Sequence, residues 1–444
     1  MSQIARYLSL SFLATWWFSL TYLVRTGEIA ENILTRFQIQ ELFLLAMLGL
    51  ALLRPKLVLG YLKVVPYLSI ILIIVAIVTI VGYLFAIYTE WYVPFSIDNR
   101  LFIQLLAFMA SIAAGALVAR VLITRSKDSC HALILGLAFA LLGVLWQFYH
   151  QGLTGAIAAR LHGFNGEPKG LGIFLVPFFV CFVLVPVTTN FRRALVITIV
   201  GLVILLSYSS TAIIALAVSM AAGLLLLRVA SKGRNVLLVF LAIVGFATLV
   251  VSSEEIHQKT IGRFLERTQG MYTEGISVAI DVPVLGLITV DGNDSPVLRM
   301  LLDQPILGLS GVGYGMQSVF AYPFLIRYDS GFLDVDFSGY ITPNLALLNH
   351  LPNYGLVPLG LMILGLWRLL MSYRRVSMSV YKEFNFLYFS SWFVISLLVY
   401  EISFKLIMLY IVVANIFLRI SQAGTCVGVG VGPLAFGAAL ERSR

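Results

Sequence analysis

Charge is scarce in this chain. Of its 444 residues 11% are Asp, Glu, Lys or Arg, while 60% are hydrophobic and the mean hydropathy is +0.96. That balance excludes a disordered chain and an ordinary water-exposed surface, and it predicts repeated runs of about twenty apolar residues. Cysteine is scarcer: Cys130, Cys181 and Cys426 fall at a membrane boundary, inside an apolar run and in the tail, with no disulfide or zinc spacing. No Walker motif or nucleophile elbow is visible. Asp291-Gly292-Asn293-Asp294 lacks the later ligands of a calcium loop, and Asp334 and Asp336 read as loop charge, so no metal site is expected. Met1 to Arg25 lacks a small-residue cleavage site after its apolar stretch and reads as a first helix, not a removed signal.

What is present is a series of apolar runs. They predict an all-α integral membrane protein with about twelve spans, near residues 6–25, 38–53, 66–89, 101–123, 131–149, 170–189, 194–208, 210–227, 235–252, 353–373, 385–400 and 403–420. The runs 194–228 and 385–420 are too long for one span at about 1.5 Å per residue, so each is read as two helices folded back on a short turn. The organisation is then nine spans in 1–252, a large polar loop at 253–342, three spans in 343–420 and a Gly-rich tail at 421–444.

Alternate assignment of the loops gives the two faces different charge. Nineteen of the thirty Lys and Arg fall on the face of the N-terminus, with Asp128, Glu383 and Glu441 as its acids. Enrichment in Lys and Arg marks that face as cytoplasmic. The formal charge of +9 therefore reflects orientation and does not point to nucleic acid. Both termini are expected inside, and the loops at 90–100, 150–169 and 253–342 outside. Essentially no ionisable residue sits at mid-span, unlike the pathways of ion-coupled transporters. Chemistry at the outer face is the better expectation.

Three segments carry candidate chemistry. The first is Arg160-Leu-His162-Gly-Phe-Asn-Gly-Glu167-Pro-Lys169, where a guanidinium suited to phosphate lies near two possible proton acceptors, His162 and Glu167. The alternative is an interfacial loop whose cations meet lipid phosphates. In the second, Arg263 and Arg267 share a face of a predicted helix, 261–268, or are plain surface charges. Further along come Arg299, then Gln304-Pro-Ile-Leu-Gly308 and glycines 311, 313 and 315. Such glycines let amides approach an anion, although no strand and helix flank them as a dinucleotide site requires; the other reading is a flexible connection. The third is Pro343-Asn344, followed by His350 and the Tyr354-Gly355-Leu356 entry to a span. His350 is a candidate base or a hydrogen-bonded packing residue.

In order and spacing, Arg160 with its Gly-Phe and Glu-Pro turn, Arg299 with Gln-Pro-Ile-Leu-Gly, and Pro343-Asn344 before Tyr-Gly-Leu resemble the O-antigen ligase and polymerase superfamily over roughly residues 135–375. The resemblance implies a GT-C-like fold in the bacterial inner membrane, with one large periplasmic loop. It implies glycan transfer from undecaprenyl diphosphate with no cofactor, metal or nucleotide sugar. Arg160 and Arg299 would hold the diphosphate, with Arg263, Arg267 and Asn344 as further binding candidates. In the ligase branch a histidine usually precedes the asparagine, whereas Pro343 stands here. That departure favours a polymerase of lipid-linked repeat units over a ligase, with His350, His162 or Glu167 to take the acceptor proton. A flippase or other transporter is the reading from a different class. The implied partners are undecaprenyl-diphosphate-linked glycans and the bilayer, with a chain-length regulator protein as an optional one.

Overall fold

A computed structural model describes residues 39–226 except 54, 64, 66, 89–96 and 166–167, then 258, 262, 265–266, 277–283, 286–292, 294–328, 345–373, 376, 378–399 and 406–426. The expected spans at 6–25 and 235–252 lie outside the described residues, as do Glu167, Arg263, Arg267 and Asn344.

The chain is mainly helical. Among the described residues the first eight helices are α1 (Ile39–Leu52), α2 (Pro55–Leu62), α3 (Leu68–Tyr88), α4 (Ile97–Thr124), α5 (Ser126–Ala158), α6 (Pro168–Leu184), α7 (Asn190–Leu206) and α8 (Ser210–Leu226). A 3-10 turn, Gly163–Asn165, stands between α5 and α6. The large loop contains a hairpin, β1 (Ser277–Val282) and β2 (Gly286–Asp291), and helices α9 (Ser295–Asp303), α10 (Pro305–Ser310) and α11 (Gln317–Tyr328). Then come α12 (Ala346–Tyr354), α13 (Leu356–Tyr373), α14 (Val380–Leu398) and α15 (Leu406–Cys426).

Among the described residues three helices are long and apolar enough to cross a membrane, Leu68–Tyr88, Ser126–Ile157 and Leu356–Tyr373. Shorter apolar helices include Pro168–Leu184 and Ser210–Gly223. Large apolar side chains such as Ile73, Ile77, Ile80 and Leu84 on α3 are exposed at 56% or more. Apolar surface of that kind fits contact with lipid and is foreign to a soluble monomer. This is a membrane-embedded helical protein.

Both long apolar runs do fold back, at residues 207–209 between α7 and α8, and between α14 and α15. In the core α4 lies along α15, where the small residues Ala113, Ala114, Gly115 and Ala116 admit a close approach. A Cβ on Gly115 would sit 2.9 Å from Cβ of Val412. Without a hydrophobic drive between helices in lipid, such small-residue faces let dispersion hold the pair. On the other side α14 packs on α5, α6 and α8, with Phe178 against Tyr388 at 4.9 Å and Phe182 against Phe384 at 5.4 Å.

The hairpin departs from the all-α expectation. Its strands pair antiparallel from Ser277 opposite Asp291 to Val282 opposite Gly286. Val278, Ile280 and Val282 on one strand and Ile288, Thr289 and Val290 on the other supply the β-branched residues that favour a pleated pair. Gly286, at φ 75°, opens the second strand opposite Val282.

Candidate functional site

The large loop is not wholly a surface element. After α10 the backbone turns into the bundle through three left-handed glycines, Gly311, Gly313 and Gly315, at φ 77°, 107° and 78°. A Cβ on Gly313 would lie 2.5 Å from Cα of Thr79, in the middle of α3, and one on Gly311 would lie 2.7 Å from N of Gly355. Tyr314 rests on Phe108 of α4 at 4.5 Å and is fully buried. Irregular backbone at this depth is tolerable where every polar group finds a protein partner. Here Val312 N donates to Pro352 O, Tyr314 N to Thr79 Oγ1 at 2.9 Å, and Gly315 N to Asn353 Oδ1 at 2.8 Å. The glycines therefore serve close packing against α3 and α12. Neither an anion cradle nor a flexible connection describes them.

Asn353 anchors this region. Besides accepting from Gly315 it donates to Gln317 Oε1 and to Asn349 O, and all three side chains are essentially inaccessible. One helical turn back, His350 is fully buried, with Nε2 2.7 Å from Ser396 O and its ring 5.6 Å from that of Tyr354. A carbonyl can only accept, so Nε2 carries the hydrogen. Burial lowers the pKa of His350 to about 4, against a smaller raising effect of the Ser396 carbonyl, so the ring is neutral near pH 7. α12 thus presents a buried amide and imidazole stripe just before α13.

The loop between α5 and α6 forms a second polar centre. α5 breaks at Gly152, at φ 69°, and ends at Ala158. Arg160 is left-handed at φ 69°, uncommon for a residue with a side chain. Its guanidinium donates through Nε to Ser207 O at 3.2 Å and through Nη2 to Tyr208 O at 2.8 Å. These carbonyls close the C-terminal end of α7, where a cation is favoured by the helix dipole. Gln147 of α5 braces the loop from beneath. Its Oε1 accepts from His162 N and Gly163 N, each at 3.0 Å, and its Nε2 donates to Arg160 O at 3.1 Å. His162 is partly exposed, with Nδ1 3.0 Å from Gly163 O. The same carbonyl rule puts the hydrogen on Nδ1 and leaves the Nε2 lone pair as the acceptor.

Arg299 lies partly buried on α9. Its Nε is 3.4 Å from Ser295 Oγ and its Cζ lies 4.6 Å from the ring centroid of Tyr328 on α11. The structure thus brings Arg160 together with His162 at one centre, and Arg299 together with Tyr328 at another, while His350 belongs to the buried stripe on α12.

Gln147, Asn353 and Gln317 escape a search for ionisable groups. Their one signal is an amide alone in an apolar helix, which must find a partner or be costly to bury. Among the described residues no three His, Cys, Asp or Glu side chains gather as a metal site. No protein-family model matches the chain, and no curated protein matches it.

Proposed function

We propose that the protein polymerises glycan repeat units carried on a polyprenyl diphosphate, at the outer face of a bacterial inner membrane. The arrangement proposed is the twelve-span, GT-C-like one, with both termini cytoplasmic and the large loop periplasmic. The observation that carries the reading is the setting of Arg160. Arg160 is half-buried in a strained backbone conformation, its own carbonyl held by Gln147 and its guanidinium by two carbonyls, and so is held more firmly than a loop cation meeting lipid needs. Strain of this kind costs about 1–3 kcal/mol and persists where the surroundings over-determine it.

In the reaction the acceptor hydroxyl attacks the anomeric carbon of the growing chain. The bond from that carbon to the diphosphate oxygen breaks, and the lipid diphosphate departs with the electron pair. Arg160 and Arg299 oppose the charge that builds on the departing oxygens, with Arg263, Arg267 and Asn344 as further contacts of the donor. The hydroxyl proton passes to a base. His162 is favoured over His350 because its Nε2 lone pair lies on a partly exposed ring, whereas His350 is enclosed and hard to protonate. Glu167 is the other candidate beside it in the loop.

The test is glycan chain length in cells that depend on this protein, with membrane levels matched. Arg160→Ala and Arg299→Ala should each leave single-repeat product and abolish long chains, and His162→Ala should slow elongation more than His350→Ala. Normal chain lengths in both arginine variants would remove the proposal. Accumulation of lipid-linked units on the cytoplasmic leaflet would replace it with a transporter.

A further inference from the structure

Arg299 does not stand alone. Arg327, at the outer end of α11, sets its Cζ 5.0 Å from the centroid of the same Tyr328 ring that Arg299 approaches at 4.6 Å. Two guanidinium groups against one ring are no more than about 10 Å apart, a span that two linked phosphoryl groups can bridge by engaging one guanidinium each. Among the described residues Asp303 is the acid of this cluster: the Tyr328 hydroxyl donates to its Oδ2 at 3.4 Å, which steadies the ring. Arg327 and Tyr328 are exposed and Arg299 is partly buried, so the cluster opens outward.

Its height follows from the helices. Thr79 pairs with Tyr314, and six residues on along both segments Phe85 stacks on Phe320 at 5.9 Å, so α3 and α11 run in the same direction. From that level α3 continues three residues to Tyr88, whereas α11 continues eight to Tyr328. At about 1.5 Å per residue, Tyr328 stands roughly 7 Å beyond the end of α3. With the apolar helix α3 crossing the hydrocarbon, a group at that height would be within reach of lipid phosphates.

We infer that Arg299, Arg327 and Tyr328 form a clamp for the diphosphate of an isoprenoid-linked substrate, with Arg327 as its second cation. The inference rests on the reaction proposed above and names the group that would hold one of its diphosphates. Arg327 supplies the outward guanidinium and Tyr328 orients both planes, so a diphosphate is gripped at two points and a monophosphate at one.

The test uses the purified full-length protein in zwitterionic micelles, titrated with farnesyl diphosphate and farnesyl monophosphate, with phosphatidylglycerol as competitor. The wild type should prefer the diphosphate by about tenfold, the worth of one more charge-assisted bond at a half-exposed site. Arg327→Ala should erase that preference without lowering the melting temperature, and Arg327→Lys should restore part of it, since Lys keeps the charge but loses the planar fork. An unchanged preference in Arg327→Ala overturns the clamp, as does absence of wild-type binding. Equal competition by phosphatidylglycerol overturns it too, and makes the cluster an anchor for bulk lipid. Binding that depends on Arg327 in a protein that extends no chains leaves the clamp standing and removes the polymerase reading instead.

Discussion

Gly313→Ala isolates the packing of the inward glycine turn. The added methyl would lie 2.5 Å from Cα of Thr79, 3.1 Å from its N and 3.2 Å from Val78 O. All three are backbone atoms of a membrane helix, which cannot rotate aside as a side chain would. Gly313 also sits at φ 107°, where an L residue is strained by about 1–3 kcal/mol. Overpacking adds about 1–3 kcal/mol. Relief by withdrawal of the loop would break the bond from Tyr314 N to Thr79 Oγ1 and bare a buried amide, worth about another 1–3 kcal/mol. Since withdrawal replaces the overpacking, strain adds to one of the two, and the expected loss is about 2–6 kcal/mol. Gly360→Ala is the control: nothing lies within 4 Å of its Cβ position inside α13, so the change should be neutral or stabilise by up to about 1 kcal/mol. A thiol-reactive dye reports unfolding through Cys130 and Cys181, both buried. Gly313→Ala should unfold well below the wild type and Gly360→Ala at or above it. Equal melting temperatures for the two variants would refute the packing argument.

Three further outcomes are expected. Asn353→Ala strips Gly315 N of its acceptor inside the bundle and should destabilise by about 2–3 kcal/mol in the same dye assay, with Asn353→Gln no better because the longer amide overfills the site. Gln147→Ala removes the acceptor of two amides and the donor to Arg160 O, so proteolysis within residues 159–165 should quicken and chain elongation should fall several-fold, short of the full loss expected of Arg160→Ala. For His350, the folded pKa of about 4 lies below the ordinary value of 6.5, so below pH 6.5 the unfolded chain binds the proton first. Stability is then lost as pH falls from about 6.5 to 4, by up to about 3 kcal/mol, and a scan of melting temperature against pH should show a shallower acid limb in His350→Gln.

Apolar runs made the helices legible. The fold-back at residues 207–209 and the break between α14 and α15 follow from lengths no single span fills. Helix ends were less readable, because Lys127 and Asp128 look like loop charge yet α5 begins at Ser126. The hairpin has its β-branched residues in plain view, but a segment weighed by its acids reads as loop before its periodicity is considered. The glycines near 313 were ambiguous for a physical reason. The same spacing serves an amide cradle or close helix contact, and what decides is Thr79, more than two hundred residues away. Tyr328 hid for the same cause: its ring matters because α9 packs on α11, and nothing local announces that pairing.

The two cation centres are held by different means, and the difference bears on how such a site could work. Arg160 is tied to backbone at the α7–α8 turn and to Gln147 of α5, elements whose apolar faces are sealed in the main core. Arg299 and Arg327 ride on α9 and α11, which gather with Val312, Met316 and Phe320 into a separate apolar cluster that meets α3 at Ala86. Coulomb attraction to a shared diphosphate falls off with distance and rises as water is excluded. In the proposed reaction Arg160 is thus a station fixed in the main core, and Arg299 with Arg327 a second station whose placement depends on a small core of its own. Because Gly313 joins the second station to α3, a change that loosens that contact should weaken donor binding more than it disturbs Arg160.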